Sequence, residues 1–371
     1  MATGYTPIYR IMKGGIDITS NFNDRTTQIK VELYAGGGQG DSCSITLDDR
    51  DWALAPIDPG DAIQVYLGYE EVGLAYQGNF NLLDVTYKGK PKQVILTGTS
   101  TKFADLQKTP TTREYIGMTV GEILKSMGGD TDVFTAISGD LADQEIATKN
   151  QITSNMHLLT ELEQRYGAVA KVVDGKLMFI PRDSLTSASG QPVPTLVLQP
   201  EHFGDWEVRY SQRMDFSSTK AFWWDDHDNM PKWVKTTVKS IGQGSGEEYP
   251  IGTRFKTAAE AQAAADSKMQ AFNRSTVQAT FDLAKGDPWI RDQQTILVKN
   301  MRDRINGSYT VDRAVHTYIK STGIRTNLEC RAPGNGVDLS DRAPDELLTP
   351  NPGEPMGTVV PGAPGSGNAA P

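Results

Sequence analysis

The sequence predicts a mainly β chain with α insertions (α+β): two β regions, a helical insertion between them, and a flexible Pro/Gly-rich tail. Three observations carry this. Phrases of alternating apolar and polar residues, bounded by turn signals, recur in both halves at the period of half-buried strands. Capped segments of helical period gather between them. After Ala332 the composition changes, with eight prolines and seven glycines to the end and too little apolar surface to offset the entropy of ordering. The expected divisions are 1–105, 106–166, 167–331 and 332–371.

In the first region "SCSITLDD" sets Cys43, Ile45 and Leu47 on one face and Ser42, Ser44 and Thr46 on the other. After a Pro-Gly turn, Ile63, Val65 and Leu67 alternate with Gln64 and Tyr66, and "QVILTGTS" closes the series. Short strands at close intervals indicate a sandwich or a small barrel. The insertion contains "MTVGEILKSMGGD", where Thr119 and Glu122 have capping-box spacing, Ile123, Leu124 and Met127 face inward, and Gly128 is placed to end the helix. Next comes "NQITSNMHLLTELEQRYGAVAKVVDGKLMFIPR", Asn150 to Arg182. Leu158, Leu159, Leu162 and Tyr166 recur at helical spacing and Gly167 stops the run. Asp174-Gly175 then separates two strand phrases, a strong hairpin signal because its turn needs positive φ at both central positions. Gly167 is thus the predicted seam, with the hairpin belonging to the second β region. Further on, "SSTKAFWWDDHDNMPKWVKTTV" reads as two strands with a polar tip, and 257–274 as an alanine-rich helix of high propensity. "TVQATFDLAKGDP", "QQTILVKN", "GSYTVDRAVHTY" and "GIRTNLEC" read as strands.

The two β regions share a phrase. Each has a Gly-Asp turn, Gly60-Asp61 and Gly286-Asp287, then an alternating strand, then Gly, x, aromatic, x, aliphatic, x, x, small apolar. The last phrase pairs Gly78 with Gly307, Phe80 with Tyr309, Leu82 with Val311 and Val85 with Ala314. Two readings stand: common turn-strand-turn phrasing, or duplication of one β domain.

Composition excludes several functions. A net charge of −9 argues against a general nucleic-acid binder, which clusters Lys and Arg. The two cysteines, Cys43 and Cys330, stand far apart without CxxC or an adjacent His, so a zinc site or disulfide framework is not expected. No run approaches the ~20 apolar residues of a membrane span, and the start lacks a signal-peptide core. "GGGQGDS" precedes a strand and has no phosphate-loop spacing. GxSxG, HExxH and the P-loop are absent from the sequence. "DDHDN", Asp225 to Asn229, offers carboxylates and an imidazole but lacks the glycine and final Glu of a calcium loop, and reads as a hairpin tip. His157 falls on the polar helix face with Glu161. Phe222, Trp223, Trp224 and Trp233 read as core plus subunit interface rather than as a sugar platform. No catalytic, cofactor or metal residue is assigned.

The Asn150–Arg182 segment resembles the helix-then-hairpin signature of the phage late control protein D family, the baseplate hub of contractile tails, and is similar to that of VgrG spike proteins. Gln151, Ser154, Leu159, Leu162, Gly167, Gly175, Leu177 and Phe179 match; Asn155 stands where an acid is usual and Leu158 where an aromatic is. Tyr166 and Asp174 complete the structural set. The resemblance extends in order from Tyr5 to Arg331. It implies two tail-tube-like barrels per chain and a homotrimer with pseudo-six-fold symmetry. That ring would join a six-fold tube to a three-fold spike, around a passage for the tape measure protein and, in transit, DNA. It further implies contacts with other baseplate proteins, no membrane, no cofactor, no enzymatic activity, and a virion tail location reached by assembly in the host cytoplasm. A secretion or injection machine hub, and a tail-associated cell-wall hydrolase, are the alternatives.

Overall fold

The computed structural model describes residues 5–22, 24–52, 54, 57–100, 110–131, 134–184, 194–211, 216–237, 247–302 and 304–333. The expected tail, 332–371, lies outside them except for Ala332, which is buried in the core, and Pro333; the last strand ends at Arg331.

The first region comprises β1 (Pro7–Lys13), β2 (Ile16–Asp17), β3 (Thr26–Tyr34), β4 (Ser42–Asp48), β5 (Ala62–Tyr69), β6 (Gly73–Gly89) and β7 (Lys92–Ser100). The insertion follows with β8 (Arg113–Thr119), α1 (Val120–Thr131), β9 (Phe134–Ile137), α2 (Gly139–Ala142), β10 (Glu145–Gln151), α3 (Asn155–Tyr166), β11 (Ala168–Val173) and β12 (Lys176–Pro181). The remainder holds β13 (Leu196–Leu198), β14 (Phe203–Tyr210), β15 (Ser218–Asp225), β16 (Met230–Thr236), β17 (Glu248–Phe255), α4 (Ala258–Ser275), β18 (Val277–Leu283), β19 (Thr295–Val298), β20 (Gly307–Ile319) and β21 (Gly323–Arg331).

The chain is mainly β with few helices, as the alternating phrases predict. Its two β regions form one thirteen-stranded sheet, ordered β14-β18-β21-β20-β3-β4-β7-β6-β5-β1-β2, with β19 on β20 and β13 on β19. They meet where β3 pairs with β20, Gln28 opposite Ile319 through Tyr34 opposite Arg313. Where the resemblance led us to expect two barrels, the ladders draw one open path among the described residues, with a single buried core running through both regions.

Within that sheet the two halves repeat strand for strand. The order β3-β4-β7-β6-β5-β1 has the counterpart β14-β18-β21-β20-β19-β13. Gly78 and Gly307 both have positive φ, 145° and 136°, a conformation that favours glycine. Phe80 and Tyr309 are both fully buried. β6 bulges against β7 between Leu82 and Asp84, and β20 against β21 between Val311 and Arg313, the same repeat position. β3 bulges against β4 between Thr26 and Gln28, and β14 against β18 between Phe203 and Asp205, again equivalent. Two matched bulges in matched strands are more than shared phrasing, since a bulge is a specific local choice. The copies differ where β1 pairs antiparallel with β5 but β13 pairs parallel with β19.

The Gly-Asp turns do not correspond structurally. Gly60 has φ 105° and Asp61 ion-pairs with Lys13 at the surface directly before β5. Gly286 instead lies against β21, where an added Cβ would stand 2.4 Å from the Ile324 carbonyl oxygen. Asp287 is buried; its N–H donates to Thr326 Oγ1 at 2.9 Å and its carboxylate accepts from the Trp289 N–H. Thr326 Oγ1 also lies 3.0 Å from His316 Nδ1, while His316 Nε2 lies 2.9 Å from the Ile290 carbonyl, so Nε2 carries the proton. Burial first, and nearby Arg291 second, hold this imidazole neutral, lowering its pKa to about 3. The unfolded chain protonates this side chain below about 6.5 and the native chain does not, so its stability contribution is full above that pH and is lost as pH falls toward 3. Urea melts should therefore show a pH slope approaching ~1.4 kcal/mol per unit from this group, absent in His316→Gln; an unchanged slope would refute the assignment.

Each expected helix forms. Thr119 and Glu122 exchange capping bonds at 2.9 and 3.2 Å, and α1 runs past Gly128, the expected stop, to Thr131. Thr257 Oγ1 caps α4 by accepting from the Glu260 N–H at 3.2 Å. α4 packs its alanine face on the sheet β16-β15-β17 to form a small separate core.

Candidate functional site

The Asn150–Arg182 segment is built for rigidity. Buried Gln151 accepts from the Tyr115 hydroxyl at 3.0 Å and donates to Asn155 Oδ1 at 2.8 Å and the Thr153 carbonyl at 3.0 Å, so its amide is fully used. Ser154 caps α3 by accepting from the His157 N–H. Leu158, Leu159 and Leu162 are buried and Tyr166 packs partly against them. Gly167 ends the helix in the left-handed region, φ 60°. Asp174 and Gly175, at φ 50° and 73°, make the predicted hairpin turn. His157 stays on the exposed face, 3.7 Å from Glu161.

One expectation is corrected. The sequence pattern places the hairpin in the second β region, with a seam at Gly167. Instead β12 pairs parallel with β9, and Ala168, Ala170, Val172, Leu177 and Phe179 share the core of α1 and α3. The reason is burial on both faces: β11 is covered along nearly its whole length, and the insertion's helices supply the cover.

The seam is therefore made by polar side chains reaching out of this unit. Glu163, buried on α3, accepts from the Ala170 N–H at 2.6 Å and from the Gly37 N–H at 3.2 Å, tying the "GGGQG" loop after β3 to the insertion. Burial raises its pKa and those two amides oppose the rise. Arg182 donates to the Ala35 carbonyl at 3.1 Å and lies 3.5 Å from Asp312 on β20. Arg165 pairs with Glu260 of α4 at 2.7 Å, and Asp174 accepts from the Tyr76 hydroxyl of β6.

Lys171 on β11 is the centre of the joint. It is buried, with Nζ 3.0 Å from Asp41 of the first region and 2.6 Å from Asp292 of the second. Burial raises the Asp41 pKa to about 6, against the opposing pull of Lys171. Burial lowers the pKa of neighbouring Arg291, with Asp292 opposing the fall, and Arg291 donates to the Gln77 carbonyl of β6. Further cross-ties join Tyr69 Oη to the Gly286 carbonyl at 2.7 Å and Gln77 Nε2 to the Pro288 carbonyl at 2.8 Å. Three segments distant in sequence are thus locked at one place.

The joint's polar members, Glu163, Lys171, Arg182, Asp41 and Asp292, escaped the sequence reading. A lysine inside "AVAKVV" was the available signal, because a charge in a two-sided apolar run must be paired. The signature residues do come together, whereas of the repeat residues Gly78, Phe80, Gly307 and Tyr309 occupy equivalent strands and Gly286 enters the joint through its bond from Tyr69.

Among the described residues no group of three or more His, Cys, Asp or Glu is arranged to hold a metal. At the 225–229 tip the Asp225 carboxylate accepts from the His227 and Asp228 amides and from Lys232. Phe222 and Trp233 stack across β15 and β16 at 5.1 Å, Trp224 lies under Arg254, and Trp223 packs on the α4 core.

No family model matches the chain. It is 22% identical over 381 residues to a probable baseplate hub protein of Escherichia phage 186, spanning 93% of this chain and 97% of the relative. The corresponding protein of Escherichia phage P2 is 23% identical, spanning 91% and 94%. The fold is shared with a tail protein from Neisseria meningitidis, TM-score 0.66 at 12% identity over 92% of this chain and all of that one. It is shared also with an E. coli component of the type VI secretion system, TM-score 0.55 at 9% identity over 88% and 78%.

Proposed function

We propose, from a chain related over more than nine-tenths of its residues to phage baseplate hub proteins, that three copies close into a ring with pseudo-six-fold symmetry between a tail tube and a spike. The observation that carries this is the strand-for-strand repeat. One chain holds two equivalent β units, so three chains present six equivalent positions to a six-fold tube while keeping a three-fold face for a trimeric spike. The rigid joint supports the reading, because an adaptor under axial load needs its units fixed in relation to one another. Its partners are then the tube, spike, tape measure and neighbouring baseplate proteins, with DNA passing only in transit; its place is the tail baseplate, after assembly in the host cytoplasm.

Mass measurement of the concentrated protein should give a trimer, and a stable hexamer would overturn the reading. Low-resolution imaging of tails should locate the chain at the tube-spike junction. As a structural part it has no reaction to perform, so a peptidoglycan zymogram should show no clearing; a clearing band at its position would restore the hydrolase alternative. The fold shared with a type VI secretion component favours a second reading with the same mechanics, the hub of an injection machine. Recovery of the chain in DNA-filled particles would separate the two.

A further inference from the structure

The internal repeat leaves two strand edges unmatched. Beyond its bulge, β20 has β21 on one side and β3 on the other, over Arg313–Ile319. The counterpart stretch of β6, Asp84–Gly89, has β7 on one side and, among the described residues, no strand on the other, because β5 pairs only as far as Ala62 opposite Asn81. The counterpart of β3 is β14, which ends the sheet with β18 as its ladder neighbour.

Exposure follows the same division. Where β3 covers β20, Ala314, Val315, His316 and Tyr318 are buried. On β6 the counterparts Thr86, Tyr87 and Gly89 lie open, Tyr87 being 59% exposed, while Val85 is half-buried against the core. Ile29 on β3 is fully buried, and its counterpart on β14, Trp206, is 42% exposed. A long open edge with apolar side chains is a template for another strand.

We propose that β14 of one copy pairs antiparallel with the segment from Asp84 to Lys90 of a second copy of this chain, repeating between chains the contact that β3 and β20 make within one. The inference rests on the ring reading above and specifies its contact. Transferring the β3·β20 register through the matched bulges sets Tyr87 opposite Val208, Thr86 opposite Arg209 and Gly89 opposite Trp206. It also sets Lys88 opposite Glu207 and Lys90 opposite Asp205. Charge played no part in the transfer, yet both lysines meet carboxylates, an arrangement that stabilises a strand pair, whereas like charges opposite one another destabilise it. The indole of Trp206 falls over a glycine, where there is room for it. The contact is heterologous, so it must close on itself, and three chains alternate three internal with three external copies around one ring.

The test uses the full-length chain carrying Lys88→Cys and Glu207→Cys, its native Cys43 and Cys330 being buried. Mild oxidation at high protein concentration should give covalent dimers and trimers on a non-reducing gel, with only background from each single variant or from the out-of-register pair Lys88→Cys with Asp205→Cys. In parallel, Lys88→Glu should weaken trimer formation by at least about tenfold, and Lys88→Glu with Glu207→Lys should restore it. A trimer by mass that neither cross-links nor responds to Lys88→Glu would overturn this contact and leave the hub reading standing. A chain that remains monomeric when concentrated and is missing from tail particles would overturn both.

Discussion

Lys171→Met is expected to destabilise the protein by about 3–5 kcal/mol, the usual cost of breaking a buried pair from one side. Its ammonium is the cation between the buried carboxylates of Asp41 and Asp292, and methionine fills the space without supplying charge. The loss should shrink on acidification. A carboxylate whose folded pKa lies above its unfolded value takes up its proton first in the native state, so stability is gained as pH falls through the folded pKa. Burial already raises Asp41 to about 6 with Lys171 opposing, and removing Lys171 raises it further. Urea melts at several pH values should therefore show the deficit largest near neutrality, and Lys171→Met with Asp41→Asn and Asp292→Asn should recover most of it. A deficit below about 1 kcal/mol, the range of an exposed pair, would show that the joint is not the lock described.

Phe80→Ala and Tyr309→Ala should each cost about 3–5 kcal/mol, as large aromatic truncations in a packed core do. The two side chains hold equivalent places in the two repeats and are fully buried in one continuous core. Tyr309→Ala further orphans the Ile305 carbonyl, which accepts the tyrosine hydroxyl at 2.7 Å. Because the core is shared, each variant should unfold in one transition with a lowered midpoint and an unchanged slope. Two resolved transitions, with Phe80→Ala moving only one, would show that the halves are independent units.

Local features were legible because they depend on a few neighbouring residues. Asp174-Gly175, the Thr119 and Glu122 cap, and the helix stop at Gly167 are each dictated by backbone chemistry at one or two positions, and all formed. The repeat was legible through Gly78 with Gly307 and Phe80 with Tyr309, since each pair serves one backbone strain and one core position. What escaped depends on three-dimensional pairing. β9 is four residues long and its parallel partner lies about forty residues on, so no local period announces it. The Gly60-Asp61 and Gly286-Asp287 turns share letters without sharing structure, because one caps an exposed loop and the other lies against β21. Gly128 did not stop α1; a glycine permits the left-handed conformation without requiring it.

The ladder between β3 and β20 also has a consequence in time. It pairs residue 28 with residue 319, so during synthesis β3 is complete while its partner has yet to leave the ribosome. Contacts of such separation close late, after the local hairpins have formed. Until then the nascent chain displays an open edge of the same kind as β14, and a neighbouring chain's β20 fits it as well as its own. Crowded translation on one message should therefore favour strand-swapped dimers, and slow, dilute synthesis the correctly closed monomer from which a ring can be built.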